Sequence, residues 1–172
     1  MPATPLEMTL KAVRKVANGL KNPNADVPPA VIVQTPWEIK VFTDFGKNPD
    51  ERDLIFRMAL PDFIMKTKAK AVIYISMAWF TEHPVPPSGL DKLRDETGRL
   101  PYPDGVPPSK SPNRKEMLVV AEVTASNSAI FCAKVTRFEN TPPLIEDLEE
   151  MPGESYVLRH AQRALRAVAG PG

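Results

Sequence analysis

The apolar positions divide the chain into stretches with helical spacing and stretches that alternate or run unbroken. The longest nearly uncharged apolar run is Ala69–Glu82, AKAVIYISMAWFTE, bounded by Lys70 on one side and Glu82-His83-Pro84 on the other. Its β-branched and aromatic content predicts a central strand, Ala71–Thr81, buried on both faces.

Upstream, Leu6, Leu10, Val13, Ala17 and Leu20 recur at helical spacing and predict an amphipathic helix. Thr4 can cap it, Pro5 suits its first position, and Glu7 completes a capping box. Gly19 and Asn22-Pro23 end it. Lys11, Arg14, Lys15 and Lys21 fall mostly off the apolar stripe and read as a solvated face. Val31–Val33 and Trp37–Thr43 read as one strand interrupted at Pro36 or as two short strands, with Pro36 pointing to an edge or a bulge. Trp37, Ile39 and Val41 alternate with Glu38 and Lys40, so one face of this stretch is expected to be buried. Asn48-Pro49-Asp50-Glu51 repeats the helix-start pattern. Leu54, Ile55, Met58 and Ala59 are the expected buried side of that helix, and Pro61 must kink or restart it.

Beyond the central run, Glu116–Ala125 and Ala129–Phe138 predict a hairpin joined at Ser126-Asn127-Ser128. A three-residue turn would place Phe131, Ala133 and Val135 on the face of Met117, Val119, Ala121 and Val123. Glu122, Thr124, Cys132, Lys134 and Thr136 would then form a half-polar face, with Glu122 and Lys134 able to pair diagonally. Residues 139–154 read as an acidic loop, and 155–168 as a C-terminal amphipathic helix with Leu158, Ala161, Leu165 and Val168 on one stripe. The order helix, strand, helix, strand, long loop, hairpin, helix predicts a single α+β domain over residues 1–172. Its sheet is expected to be mixed, mainly antiparallel, with about four or five strands and helices packed on it.

Composition sharpens this picture at three points. Net charge over the 172 residues is +1, so no global field favours nucleic acid or a membrane surface. The one cysteine, Cys132, excludes an internal disulfide and, with no leader-like apolar segment in Met1–Asn24, leads to the expectation of a soluble cytoplasmic protein. The Ala69 run is too short to span a bilayer as a helix. Twenty prolines stand against 8 glycines, and Pro84, Pro86, Pro87, Pro101, Pro103, Pro107, Pro108 and Pro112 fall within 83–115. That segment is expected to be a long Pro-rich loop, and loops of such length in compact domains are usually functional or disordered.

The chain carries no glycine-rich dinucleotide fingerprint, phosphate loop, deaminase signature or nucleophile elbow. Two histidines and one cysteine cannot build an ordinary zinc site without carboxylates, and no metal or cofactor is expected. What remains is a polar group at the strand ends. Glu82 and His83 follow the central strand, while Ser111, Arg114 and Glu116 precede the hairpin. Antiparallel pairing of those strands would bring them together, with Glu82 or Glu116 as general base, His83 as acid or base and Arg114 as anion clamp. The competing reading is a structural rim in which Arg114 pairs with a glutamate. Cys132 reads as a small core residue rather than a nucleophile. Arg159, Arg163 and Arg166 form a basic stripe on the last helix, which the acidic loop can neutralise as readily as a phosphate backbone can. The function expected first is therefore a non-catalytic interaction or assembly module. Its contact surfaces would be the long loop, the hairpin face and the terminal helices, and its partner another protein or a second copy. The alternative is a small hydrolase or phosphate-handling enzyme using Glu82, His83, Arg114 and Glu116.

Overall fold

The central apolar run forms a strand that is paired on both edges and covered on both faces. The structure is a computed structural model, and it describes residues 3–80 and 115–170. In chain order it contains α1 (Pro5–Asn18), β1 (Ala30–Gln34), β2 (Ile39–Phe42), α2 (Pro49–Leu54), a π-helical turn (Ile55–Ala59), α3 (Leu60–Thr67), β3 (Ala71–Phe80), β4 (Lys115–Thr124), β5 (Ser128–Thr136), β6 (Leu144–Ile145), β7 (Glu149–Met151) and α4 (Arg159–Ala169). The fold is α+β.

The strands form one seven-stranded sheet ordered β2-β1-β3-β4-β5-β6, with β7 also pairing β5. The sheet is thus larger than the four or five strands expected. Part of the excess lies in residues 139–154, where β6 and β7 both add to β5 instead of forming a plain loop. Every pairing among the described residues is antiparallel. The helical crossover does join two strands of like direction, β2 and β3, but β1 lies between them and is antiparallel to both.

Alternation along β3 splits the apolar residues between two cores. On one face Val72, Val31, Val33, Ala121 and Val123 meet Phe56, Leu60, Ile64, Leu158, Ala161 and Leu165 from the helical side. On the other, Ile73, Ile75, Leu118, Val120, Ala133 and Val135 meet Val13 and Ala17 of α1 and Val27 of the linker. The unbroken apolar character of the central run follows from burial on both sides.

Local signals at the helix starts act as read. Thr4 Oγ1 accepts from Glu7 N–H at 3.1 Å while Glu7 Oε2 accepts from Thr4 N–H at 2.9 Å, a complete capping box. Asn48 Oδ1 accepts from Glu51 N–H at 2.9 Å. The buried side of the second helical segment differs from the expectation: Leu54 and Met58 are exposed, and Phe56, Leu60 and Ile64 are buried. Phe56, Leu60 and Ile64 recur at four-residue spacing and make the stripe that packs in the core, while Ala59 is exposed with Leu54 and Met58, and Ile55 is half-buried. The π-helical turn at Ile55–Ala59 lies within this segment and ends just before Leu60.

The hairpin turn decides which residues of β4 and β5 share a face. Thr124 N–H donates to Asn127 O at 2.9 Å, so the loop is two residues, Ala125-Ser126, and Val123 lies opposite Ser128. The register differs by an odd number from the three-residue expectation, which reverses the faces of β5. Met117, Val119 and Ala121 share their face with Lys134, Cys132 and Ile130, while Phe131, Ala133 and Val135 sit with Val120, Leu118 and Glu116. Glu122 and Lys134 therefore lie on opposite faces and do not pair.

Candidate functional site

The strand pairing that the polar group requires is present. β3 and β4 are antiparallel neighbours, with Trp79 opposite Glu116 and Phe80 opposite Lys115. Glu82, His83, Ser111 and Arg114 lie outside the described residues, as does nearly all of the Pro-rich segment 83–115. Glu116 is buried, and its partner is Arg137. Arg137 Nη2 donates to Glu116 Oε1 at 2.6 Å and Nε to Oε2 at 3.0 Å. Nη1 donates to the carbonyl oxygens of Ala25 at 2.8 Å and Pro23 at 3.3 Å. Nη2 also meets Asp26 Oδ1. Every guanidinium nitrogen is thus engaged. The hydrogen bonds that Arg137 donates to Glu116, reinforced by Asp26, raise the pKa of Arg137 against the opposing effect of burial.

This arrangement is a clamp that fixes linker residues 23–26 to the end of the sheet. It leaves beside it a polar hollow of about 320 Å³ bordered by Asn24, Asp26, Trp79, Glu116 and Arg137. The sequence reading gave the arginine partner of a glutamate as Arg114 and missed Arg137. Arg137 lies two residues beyond Val135, which stands opposite Glu116, so the two form a diagonal pair on one face that appears only once the register of the hairpin is known.

The hairpin face that holds Cys132 is more apolar than expected. With Tyr74, Met117, Val119 and Ile130 it floors a groove of about 500 Å³, walled by Met151, Pro152, Tyr156 and Val157. Burial raises the Cys132 thiol pKa, which disfavours the thiolate a nucleophile needs.

The basic stripe of α4 is partly committed within the fold. Arg166 Nε donates to Ala125 O at 3.1 Å, and beside it Gln162 Nε2 donates to Thr124 O and Asn127 O, each at 3.1 Å. These contacts hold the β4–β5 turn. Arg159 stacks over the Tyr156 ring at 4.4 Å. In the acidic segment, Arg14 of α1 donates to the carbonyls of Ile145 at 2.8 Å and Glu146 at 2.6 Å, and its Nε lies 3.6 Å from Asp147 Oδ1.

A second surface emerges at the opposite edge of the sheet. β2 is exposed along its whole length, although its apolar alternation had predicted a buried face. Trp37 is 82% exposed, Val41 59%, Met8 55% and Ile39 47%. Ile39, Val41 and Met8 border an apolar groove of about 240 Å³ between α1 and the sheet. Trp37 lies on the turn between β1 and β2, which is closed by its own hydrogen bonds. The Thr35 hydroxyl accepts from the N–H groups of Trp37 at 3.3 Å and Glu38 at 3.0 Å. Thr35 N–H donates to Glu38 O at 2.9 Å, and Thr35 itself is buried.

No protein-family model, curated protein or solved structure matches this chain. Among the described residues, no helix is long and apolar enough to cross a membrane, and no three His, Cys, Asp or Glu side chains cluster as a metal site.

Proposed function

We propose that this protein is an assembly module that associates with a second copy of itself through the β1–β2 hairpin and the adjoining face of α1. The observation that carries this reading is the exposure of Ile39, Val41 and Met8 around one groove at a sheet edge, with Trp37 exposed on the turn that leads into β2. A neighbouring group of large apolar side chains at a sheet edge marks an interaction surface more than a random scatter does. An aromatic side chain held on a fixed turn loses little entropy on contact, which suits an interface anchor. The test is solution mass by sedimentation equilibrium over a wide concentration range. Mass rising toward a dimer is expected, and a monomer at every concentration overturns the reading.

A hydrolase or phosphate-handling activity built on Glu82, His83, Arg114 and Glu116 is the second reading. The polar hollow beside Glu116 is the observation in its favour. The bidentate engagement of Glu116 by Arg137 weighs against it, because a general base needs a lone pair free to take the proton. Alanine at Glu82 and Arg114 that leaves every ligand and activity unchanged would remove this alternative.

A further inference from the structure

The β2 edge carries a charge pattern that selects one way of joining two copies. Among the described residues nothing pairs with its outer side. The bond from Thr35 N–H to Glu38 O makes Thr35 and Glu38 a hydrogen-bonded pair. Alternation along an antiparallel ladder then directs the backbone groups of Glu38, Lys40 and Phe42 toward β1 and those of Ile39 and Val41 outward. A second copy pairing antiparallel with this edge must bond through Ile39 and Val41, so a two-fold axis can pass only through Ile39, Lys40 or Val41. An axis at Lys40 sets Lys40 against Lys40. An axis at Val41 sets Glu38 against Asp44. An axis at Ile39 sets Glu38 of each copy against Lys40 of the other, and Trp37 against Val41. In the separate chain Lys40 Nζ and Glu38 Oε1 form an exposed ion pair at 3.4 Å, so both charges are available for exchange across the axis.

We propose that two copies join their β2 edges antiparallel about a two-fold axis through Ile39, making one continuous sheet across the pair. The proposal rests on the self-association reading above and adds its register. A lysine in an edge strand ordinarily deters pairing; here Glu38, two positions away, turns that repulsion into selection among registers. The axis stands normal to the sheet, so the α1 faces of both copies lie on one side. Ile39, Val41 and Met8 of each copy then form a shared apolar strip.

The test is a charge exchange in the full chain, read by sedimentation equilibrium with melting curves to confirm folding. Glu38→Lys alone and Lys40→Glu alone each place like charges opposite one another twice. Each is expected to weaken the dimer by about tenfold or more. An equimolar mixture of the two variants restores opposite pairs and is expected to dimerise about as well as the natural chain, as is the double variant E38K/K40E. A natural chain that dimerises with neither single variant affected overturns the register and leaves the self-association reading standing. Single variants that weaken without rescue in the mixture also overturn the register. A natural chain that is monomeric throughout overturns both.

Discussion

Glu116 and Arg137 meet diagonally across the β4–β5 pair in a two-point ion pair, 2.6 Å and 3.0 Å between donors and acceptors. The carboxylate is buried and the guanidinium is partly covered, so removing one partner strands a desolvated charge. Arg137→Met is expected to destabilise the protein by about 3 kcal/mol. Adding Glu116→Leu should recover more than half of that loss, because the uncompensated carboxylate goes with it. Urea midpoints of the two variants and the natural chain measure the difference.

Lys68 ends α3 in the left-handed region, φ 58° and ψ 43°, and is the one described non-glycine residue with positive φ. A side chain there costs energy that glycine avoids, partly offset by the greater freedom of unfolded glycine. Lys68→Gly is expected to stabilise by about 0.5–1 kcal/mol, seen as a higher melting temperature with an unchanged spectrum.

Glu122 points to the α1 side of the sheet, where burial raises its pKa above the usual 4.5. The folded state therefore holds the proton more tightly than the unfolded state does. Stability from this group is fully present below the unfolded pKa and is lost as pH rises through the higher folded value. Glu122→Gln is expected to be more stable than the natural chain at neutral pH, by a modest margin because the group is partly solvated. The margin should vanish near pH 3. Denaturation midpoints across that range are the measurement.

Thr35 is buried, and its hydroxyl serves two backbone N–H groups and the Glu38 carbonyl, the last at 3.0 Å. Thr35→Val keeps the shape and removes these bonds. A loss of about 1–2 kcal/mol is expected from unfolding curves. Weaker self-association should accompany it, since Trp37 would no longer be held in place.

Much of the architecture was legible because local chemistry decided it. Thr4 and Asn48 fix two helix starts, and the unbroken run after Lys70 marks a strand buried on both faces; Pro36, read as an edge or a bulge, stands in the turn between two short strands. What was not legible depended on packing and on counting. Leu54 and Met58 compete with Phe56, Leu60 and Ile64 for the buried stripe at the same four-residue spacing, and packing selected the second set. One two-residue turn at Ala125-Ser126 exchanged the faces of β5. Neither event changes the composition of the segment, so pattern alone does not reveal it. β6 and β7 were hidden for another reason: strands of two and three residues are too short to show a period. Of the candidate site, only Glu116 falls among the described residues. Its pairing with Arg137 depends on a register that the sequence leaves open, and the exposed β2 surface depends on which strand ends the sheet.

The division of the apolar residues into two cores with the sheet between them has a further consequence. Each core is walled by the same strands, yet the side chains that fill one never touch those that fill the other. A void opened beside Leu165 cannot be relieved by rearrangement around Val13, because a hydrogen-bonded backbone stands between them. Variation on the two sides is therefore close to independent. The α1 side, which carries Ile39, Val41 and Met8, can change under its own selection while the helical side, which Lys40 shares with Val33, goes on holding the sheet in shape.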